Sequence, residues 1–227
     1  MKIIQPSATV ILPPPVSPWK DFKYDDGVKL LQHIEAQARI SHRSEDWMTP
    51  DSWKKFIPAV VIQHGDWSVV EHSSVTVLFR VDRGLTHELV RHRLFSFTQE
   101  STRFVNYAKK GEELEFIKPV NLPENGLWNW EQALINCEKE YFELLKLGAR
   151  PQEARSVLPN ALASTIAMTG NLRNWRHLFL MRTTKESHPD MREVMNPLLE
   201  RFKKLVPILY EDIEPNARQI DNLKKAR

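Results

Sequence analysis

Seven glycines stand in this 227-residue chain, at positions 27, 65, 84, 111, 126, 148 and 170, and no two lie closer than fifteen residues. Ordinary usage of about 7% would supply about fifteen in a chain of this size. The spacing leaves no G-x-G-x-x-G, so the usual dinucleotide-binding turn is absent. It leaves no G-x-x-x-x-G-K-[ST] either, which excludes a P-loop. A phosphorylated ligand would have to be gripped mainly by side chains.

The charge balance points to no polyanionic partner, since 32 basic and 29 acidic residues leave a net +3. One cysteine, Cys137, excludes an internal disulfide framework and a cysteine-built zinc cluster. The first residues carry an apolar stretch too short and too proline-broken for a signal peptide. No window reaches the roughly 20 apolar residues of a membrane helix. The expectation is a cytoplasmic protein with neither a membrane nor a nucleic-acid partner.

Periodicity gives the elements. Residues 1–22 read as a short strand followed by an extended arm through Pro13-Pro14-Pro15. Leu30, Leu31, Ile34 and Ala38 predict a helix over 28–42, and Asp51 or Ser52 can cap a second that runs to Gly65. In 73–81 the period changes: Val75, Val77, Phe79 and Val81 alternate with Thr76, Leu78 and Arg80, the mark of a half-buried strand. A short helix over 85–93 then runs into a polar loop. Trp130, Leu134, Cys137, Tyr141 and Leu144 predict the longest helix over 127–147, with Gly148 as its C-terminal cap. Pro151 suits the first turn of the next helix, which Pro159 ends. Residues 161–169 read as a strand. Residues 171–183 and 189–210 read as helices, the second kinked or interrupted at Pro197 and Pro207. The fold class is α+β: a single domain over 1–227 with a mostly antiparallel sheet flanked by helices and residues 1–22 as an arm.

Two arginine-rich segments carry the chemistry. Residues 91–103 hold Arg91, Arg93 and Arg103 among His92, Phe95, Phe97, Gln99, Ser101 and Thr102. Guanidinium groups suit bidentate phosphate capture, and hydroxyls with loop N–H groups can complete a nest. A solvated basic turn or a single-stranded nucleic-acid surface fits the same composition. Residues 171–182 hold Arg173, Arg176 and Arg182 and no acid. On a helix Arg173 adjoins His177, and Asn171 and Arg182 share a face roughly 16 Å apart. A core helix anchored by Trp175, Leu178 and Phe179 is the plainer alternative. Arg155, four residues before Pro159, is open to a structural or a functional role. His64 with His72, and His87 with His92, lack the i,i+4 spacing of a ligand pair on a helix, so no metal site is expected. Cys137 falls in a helix seam, where a thiol usually packs rather than reacts.

The order of these residues resembles one family. Arg91-His92-Arg93, seven residues and Ser101 reproduce the R-H-R-x7-S signature of the flavin-dependent thymidylate synthases. His64-Gly65 and Glu71-His72 stand upstream where the family has similar pairs. Downstream, the run from Ala154 to Pro159 is similar to its A-R-x-x-L-P, and Asn171, Arg173 and Arg182 to its N-x-R with a later arginine. The resemblance covers about residues 28–210.

The resemblance implies reductive methylation of dUMP to dTMP, with 5,10-methylenetetrahydrofolate as carbon donor, FAD as hydride carrier and NADPH as reductant. It implies that Arg91, His92, Arg93, Gln99, Asn171, Arg173 and His177 meet FAD, with Ser68 contributed by a neighbouring subunit of a homotetramer. It implies that Glu88, Leu89, Val90, Arg91, Gln99, Glu100, Ser101, Thr102, Arg103, Arg155 and Arg182 surround dUMP. Arg182 then lies by the uracil and favours loss of its N3 proton. A fixed guanidinium can stabilise charge developing on a pyrimidine without a covalent bond, which suits a chain whose one thiol is packed. Three positions depart from the family pattern: Asp66, often His; Phe104, often Tyr; and His177, often Asn. The phosphates are expected at Arg91, Arg93, Arg103, Arg155 and Arg173, held without a glycine-rich turn.

Overall fold

The computed structural model describes residues 1–11, 26–110 and 113–218. The proline arm lies outside them. The described elements are β1 (Lys2–Ile4), β2 (Ser7–Ile11), α1 (Asp26–Ile40), α2 (Trp53–Ile57), β3 (Ser74–Asp82), α3 (Arg83–Leu89), β4 (Ser96–Gln99), α4 (Tyr107–Lys110), β5 (Glu115–Ile117), α5 (Glu124–Lys146), α6 (Pro151–Ala154), β6 (Ala163–Asn171), α7 (Leu172–Arg182) and α8 (Pro189–Leu205). The fold is α+β. One sheet has the order β2-β3-β6-β4, and β1 pairs with β5 in a two-stranded parallel ribbon.

The larger sheet is antiparallel at its centre. The Leu172 N–H donates to the Ser73 carbonyl at one end of the β3/β6 pair, and the Arg83 N–H to the Leu162 carbonyl at the other. Val75, Val77, Phe79 and Val81 are buried, as their alternation predicts, while Thr76 and Arg80 on the other side are half-exposed. In β6 Ile166 and Met168 are buried and Thr165, Ala167 and Thr169 are not, so its alanines and threonines serve the more open face.

Local chemistry explains most boundaries. The Asp82 carboxylate accepts from the Leu85 N–H at 2.9 Å and starts α3 at Arg83, two residues before the expected start, with Gly84 inside the helix. Helix α5 ends as expected at Gly148, whose φ is +95°; the Ala149 N–H reaches the Leu144 carbonyl and the Gly148 N–H the Leu145 carbonyl. Three expectations change. Helix α2 stops at Ile57, because Pro58 has no N–H to donate; residues Pro58–Gln63 wind as a π-helix, with the His64 N–H donating to the Ala59 carbonyl. Residues 96–99, read as part of a polar loop, form strand β4. Helix α8 passes through Pro197 and ends at Leu205, so Pro207 follows the helix instead of kinking it.

The described chain divides into two compact units. The first comprises Met1–Thr9, Leu78–Arg93 and Phe97–Met168, and the second the remaining described residues. The first packs Tyr107, Leu114, Phe116, Leu134, Tyr141 and Leu162. The second is built on aromatic rings, with Trp175, Phe179, Phe202 and Tyr210 in mutual contact at centroid separations of 5.0–6.0 Å. Phe95 meets Trp175 edge-on at 4.9 Å, and a Cβ at Gly170 would lie 2.4 Å from the Phe95 ring. That close approach is one place where only glycine fits.

Candidate active site

In the first unit the site is built around the stretch that follows α3. Arg91, His92 and Arg93 occupy the turn after that helix, the two arginines exposed and the histidine half-buried. Strand β4 then leads into Gln99, whose amide donates to the hydroxyls of Thr86 at 3.0 Å and Ser164 at 3.2 Å. Ser101 accepts from the Arg103 N–H at 3.3 Å, a turn that places both side chains on one short loop. Arg103 Nε donates to Gln152 at 3.2 Å, and its guanidinium lies 5.2 Å from the Phe104 ring centre. Arg155, in the turn after α6, donates to the Thr102 hydroxyl at 3.4 Å. Gln99, Ser101, Thr102, Arg103 and Arg155 are therefore brought together. Glu88 and Leu89 lie at the end of α3 and Val90 just beyond it, with Leu89 fully buried as a core residue and Val90 exposed.

Glu100 behaves differently from its neighbours. Its carboxylate accepts from Tyr107 at 2.6 Å, from Arg80 at 2.8 Å and from the Thr165 N–H at 3.1 Å. Arg80 in turn reaches Glu115 at 2.8 Å, and Glu115 meets Lys2 at 3.0 Å. Burial by itself would lower the Arg80 guanidinium, yet its hydrogen bonds to Glu115 and Glu100 hold it above its usual value. Burial first, and then the bond to Glu100, push the Tyr107 phenol far above its ordinary range. This network lines a cavity of about 790 Å³ with Leu78, Thr98 and Gln99. Sequence reading missed Arg80 and Tyr107, since an arginine in a strand and a tyrosine beyond the signature carry no local signal of a shared carboxylate.

In the second unit α7 carries the other candidate residues. Asn171 caps the helix, its side-chain oxygen accepting from the Asn174 N–H at 2.8 Å. Asn171, Arg173 and His177 line a cavity of about 520 Å³ with Trp67, Leu94 and Leu180. The acid absent from this segment arrives from elsewhere in the chain: Arg173 pairs with Glu71, both half-exposed. Arg176 is buried, donating bidentately to Asp212 at 2.6 and 2.7 Å and to the Leu209 carbonyl at 2.7 Å, and stacking 4.5 Å from the Trp67 ring. It is a fastening within the unit. Ser68 is exposed on the 3₁₀ turn Trp67–His72, beside two residues of that cavity wall. Arg182 is half-buried in the last turn of α7, where a cation suits the negative end of the helix dipole. Cys137 is half-buried on α5, less enclosed than a core position.

Both cavities, each carrying arginine beside carboxylate, stand on an α+β frame. Residues 29–208 match the family model described as thymidylate synthase complementing protein. A flavin-dependent thymidylate synthase of Pyrococcus abyssi is 32% identical over 184 residues, 77% of this chain and 75% of that one. One of Corynebacterium efficiens is 37% identical over 172 residues, 68% and 67% of the two chains. One of Saccharolobus solfataricus is 32% identical over 203 residues, covering 85% and 74%. Among solved structures, a UMP/dUMP methylase, PolB, from Streptomyces cacaoi, bound with 5-Br dUMP, aligns at a TM-score of 0.68 with 24% identity over 93% of this chain and 96% of that chain, a likeness of fold. The chain belongs to the flavin-dependent thymidylate synthase family, whose members are methyl-transferring enzymes.

Proposed function

We propose that this chain methylates dUMP reductively to dTMP, with 5,10-methylenetetrahydrofolate as carbon donor, FAD as flavin and NADPH as final reductant. The observation that carries the reading is the gathering of Gln99, Ser101, Arg103 and Arg155 on one loop cluster. Among the described residues neither arginine of that cluster is paired with a carboxylate; their partners are the neutral Gln152 and Thr102. Guanidiniums held by neutral partners keep their charge available to a phosphate. The hydroxyl and amide between them offer the shorter contacts a sugar and a base require.

The second cavity suits a flavin nucleotide by the chemistry of its lining. Asn171, Arg173 and His177 supply polar contacts, Trp67, Leu94 and Leu180 supply apolar wall, and the volume is that of a small-molecule site. Arg91, His92, Arg93, Gln99 and Ser68 complete the proposed FAD set, Ser68 from a neighbouring subunit of a homotetramer. FAD, when bound, supplies the hydride chemistry. The protein's part is to orient: Arg103 and Arg155 anchor the nucleotide, with Glu88, Leu89, Val90, Arg91 and Thr102 around it, and Arg182 stabilises negative charge as the N3 proton leaves. Mass spectra and absorbance of the purified protein should report FAD. The deciding experiment follows the dUMP-dependent oxidation of reduced flavin with and without methylenetetrahydrofolate, and dTMP should form only with both. Flavin oxidation that ignores dUMP would overturn the reading.

A further inference from the structure

We propose that Arg80 and Tyr107 are positioning residues for the nucleotide-binding loop, acting through Glu100; the inference rests on the dUMP reading of Gln99, Ser101, Arg103 and Arg155. Glu100 stands between the two side chains that reading needs most, Gln99 and Ser101. Its carboxylate already takes three donors, Tyr107 Oη at 2.6 Å, Arg80 Nη1 at 2.8 Å and the Thr165 N–H at 3.1 Å. Its own N–H donates to the Thr165 carbonyl at 2.8 Å, so Glu100 is tied to β6 by backbone and side chain at the same residue. With three of about four acceptor positions taken, the carboxylate serves as a peg rather than as a ligand for substrate.

The peg fixes the register of what flanks it. Alternate side chains along a strand face opposite ways, so a Glu100 side chain pinned beside Thr165, just past the end of β4, keeps Gln99 turned toward Thr86 and Ser164. Ser101, the next residue, opens the turn in which its hydroxyl accepts from the Arg103 N–H. Arg80 is itself held at both ends: Nη1 donates to Glu100 and to the Thr165 hydroxyl at 3.0 Å, and Nη2 to Glu115 at 2.8 Å. The side chains of Arg80 and Glu100 are 26% and 19% exposed, enough enclosure for the pair to resist screening. Tyr107 is 6% exposed, and its raised phenol makes it a constant donor at working pH.

The test compares Arg80→Met, Arg80→Lys and Tyr107→Phe in the full chain carrying FAD. Wild-type binding of dUMP is measured first, by calorimetry. If the wild type binds no dUMP, the substrate reading itself has failed, and that result is distinct from any result on the variants. Given binding, Arg80→Met should raise the dUMP KM and Kd about 10- to 100-fold while kcat falls less than about 3-fold. Tyr107→Phe should raise them about 3- to 10-fold, and Arg80→Lys should recover much of what Arg80→Met loses. FAD content should fall far less than dUMP affinity in all three. A folded Arg80→Met that binds dUMP like wild type overturns the proposal. So does a variant in which kcat, FAD content and dUMP affinity fall together, since that is loss of fold rather than of position. If Arg80→Met does not fold, Tyr107→Phe carries the test by the same criteria.

Discussion

Two arginines in one unit and two in the other show how differently the same side chain is used. Arg80 and Arg176 are each enclosed and clasped by carboxylates, Glu100 with Glu115 and Asp212 respectively. Arg103 and Arg173 are exposed, one resting on Gln152 and the other on Glu71. A guanidinium enclosed in this way is committed, because removing its acid leaves a charge that water reaches poorly. An exposed one is exchangeable, because water stands ready to replace its partner. The neutral hold on Arg103 and the acidic hold on Arg173 differ further. Among the described residues no carboxylate pairs with the first, whereas a phosphate proposed for the second would have to displace one.

Mutation separates the two kinds of arginine. The largest effect is expected at Arg182, where loss of the guanidinium should cut dTMP formation by about 10²–10³-fold, the usual cost of losing a stabilising donor at a developing anion. Single-turnover kinetics at unchanged FAD content would read it, and retention of most activity would remove Arg182 from the chemistry. Next comes Asp212→Ala, which takes the carboxylate from the buried Arg176 guanidinium and should cost about 3 kcal/mol in denaturant unfolding. If it costs little, the distinction between clasped and exchangeable arginines fails. Gly170→Ala drives a methyl into the Phe95 ring and should cost about 1–3 kcal/mol, read as a lowered Tm.

Smaller effects sharpen the contrast. Glu71→Gln removes the competitor at Arg173 and should tighten FAD binding about 2- to 5-fold, consistent with the modest worth of an exposed pair. Weaker binding would make Glu71 a partner of the flavin rather than its rival. The last test is of pH. The bond from Arg80 and, beyond the opposing effect of burial, that from Lys2 hold the Glu115 carboxyl below its ordinary value near 4.5. The folded protein then binds that proton less readily than the unfolded chain does. Its stabilisation is complete above the ordinary value and is lost as pH falls below it. The stability difference between wild type and Glu115→Gln should therefore shrink between about pH 5 and pH 3. A difference that stays level with pH would mean Glu115 packs without its charge.

Much of this was legible in the chain. The alternation through Val75–Val81 marked β3, the 4-3-4-3 spacing marked α5, and Gly148 marked its end, because each signal is a period or a dihedral preference that neighbouring residues express. The ordered set from Arg91 to Arg182 placed the chain among the flavin-dependent thymidylate synthases. Strand β4 was hidden, since four residues with Ser, Thr and Gln carry no apolar period and depend on β6 for their hydrogen bonds. The π-turn at Pro58 was hidden for a different reason: a missing N–H announces a break in the ladder without saying how the ladder resumes.

By itself the sequence determined the means of holding a nucleotide. Scarce, scattered glycines rule out the glycine-rich phosphate turns, and two segments rich in arginine offer side chains in their place. It also determined the order in which those side chains appear. What only tertiary structure decided is which arginines are spoken for. Residues 171–182 contain no acid, yet Glu71 reaches Arg173 across 102 positions and Asp212 reaches Arg176 across 36. Glu100, a candidate ligand by its place in the signature, is filled by Arg80, Tyr107 and Thr165. Charge and hydrogen bonding act through space and fall off within a few ångströms, so the partners of each group are set by which strands and helices meet, and composition along the chain does not record that.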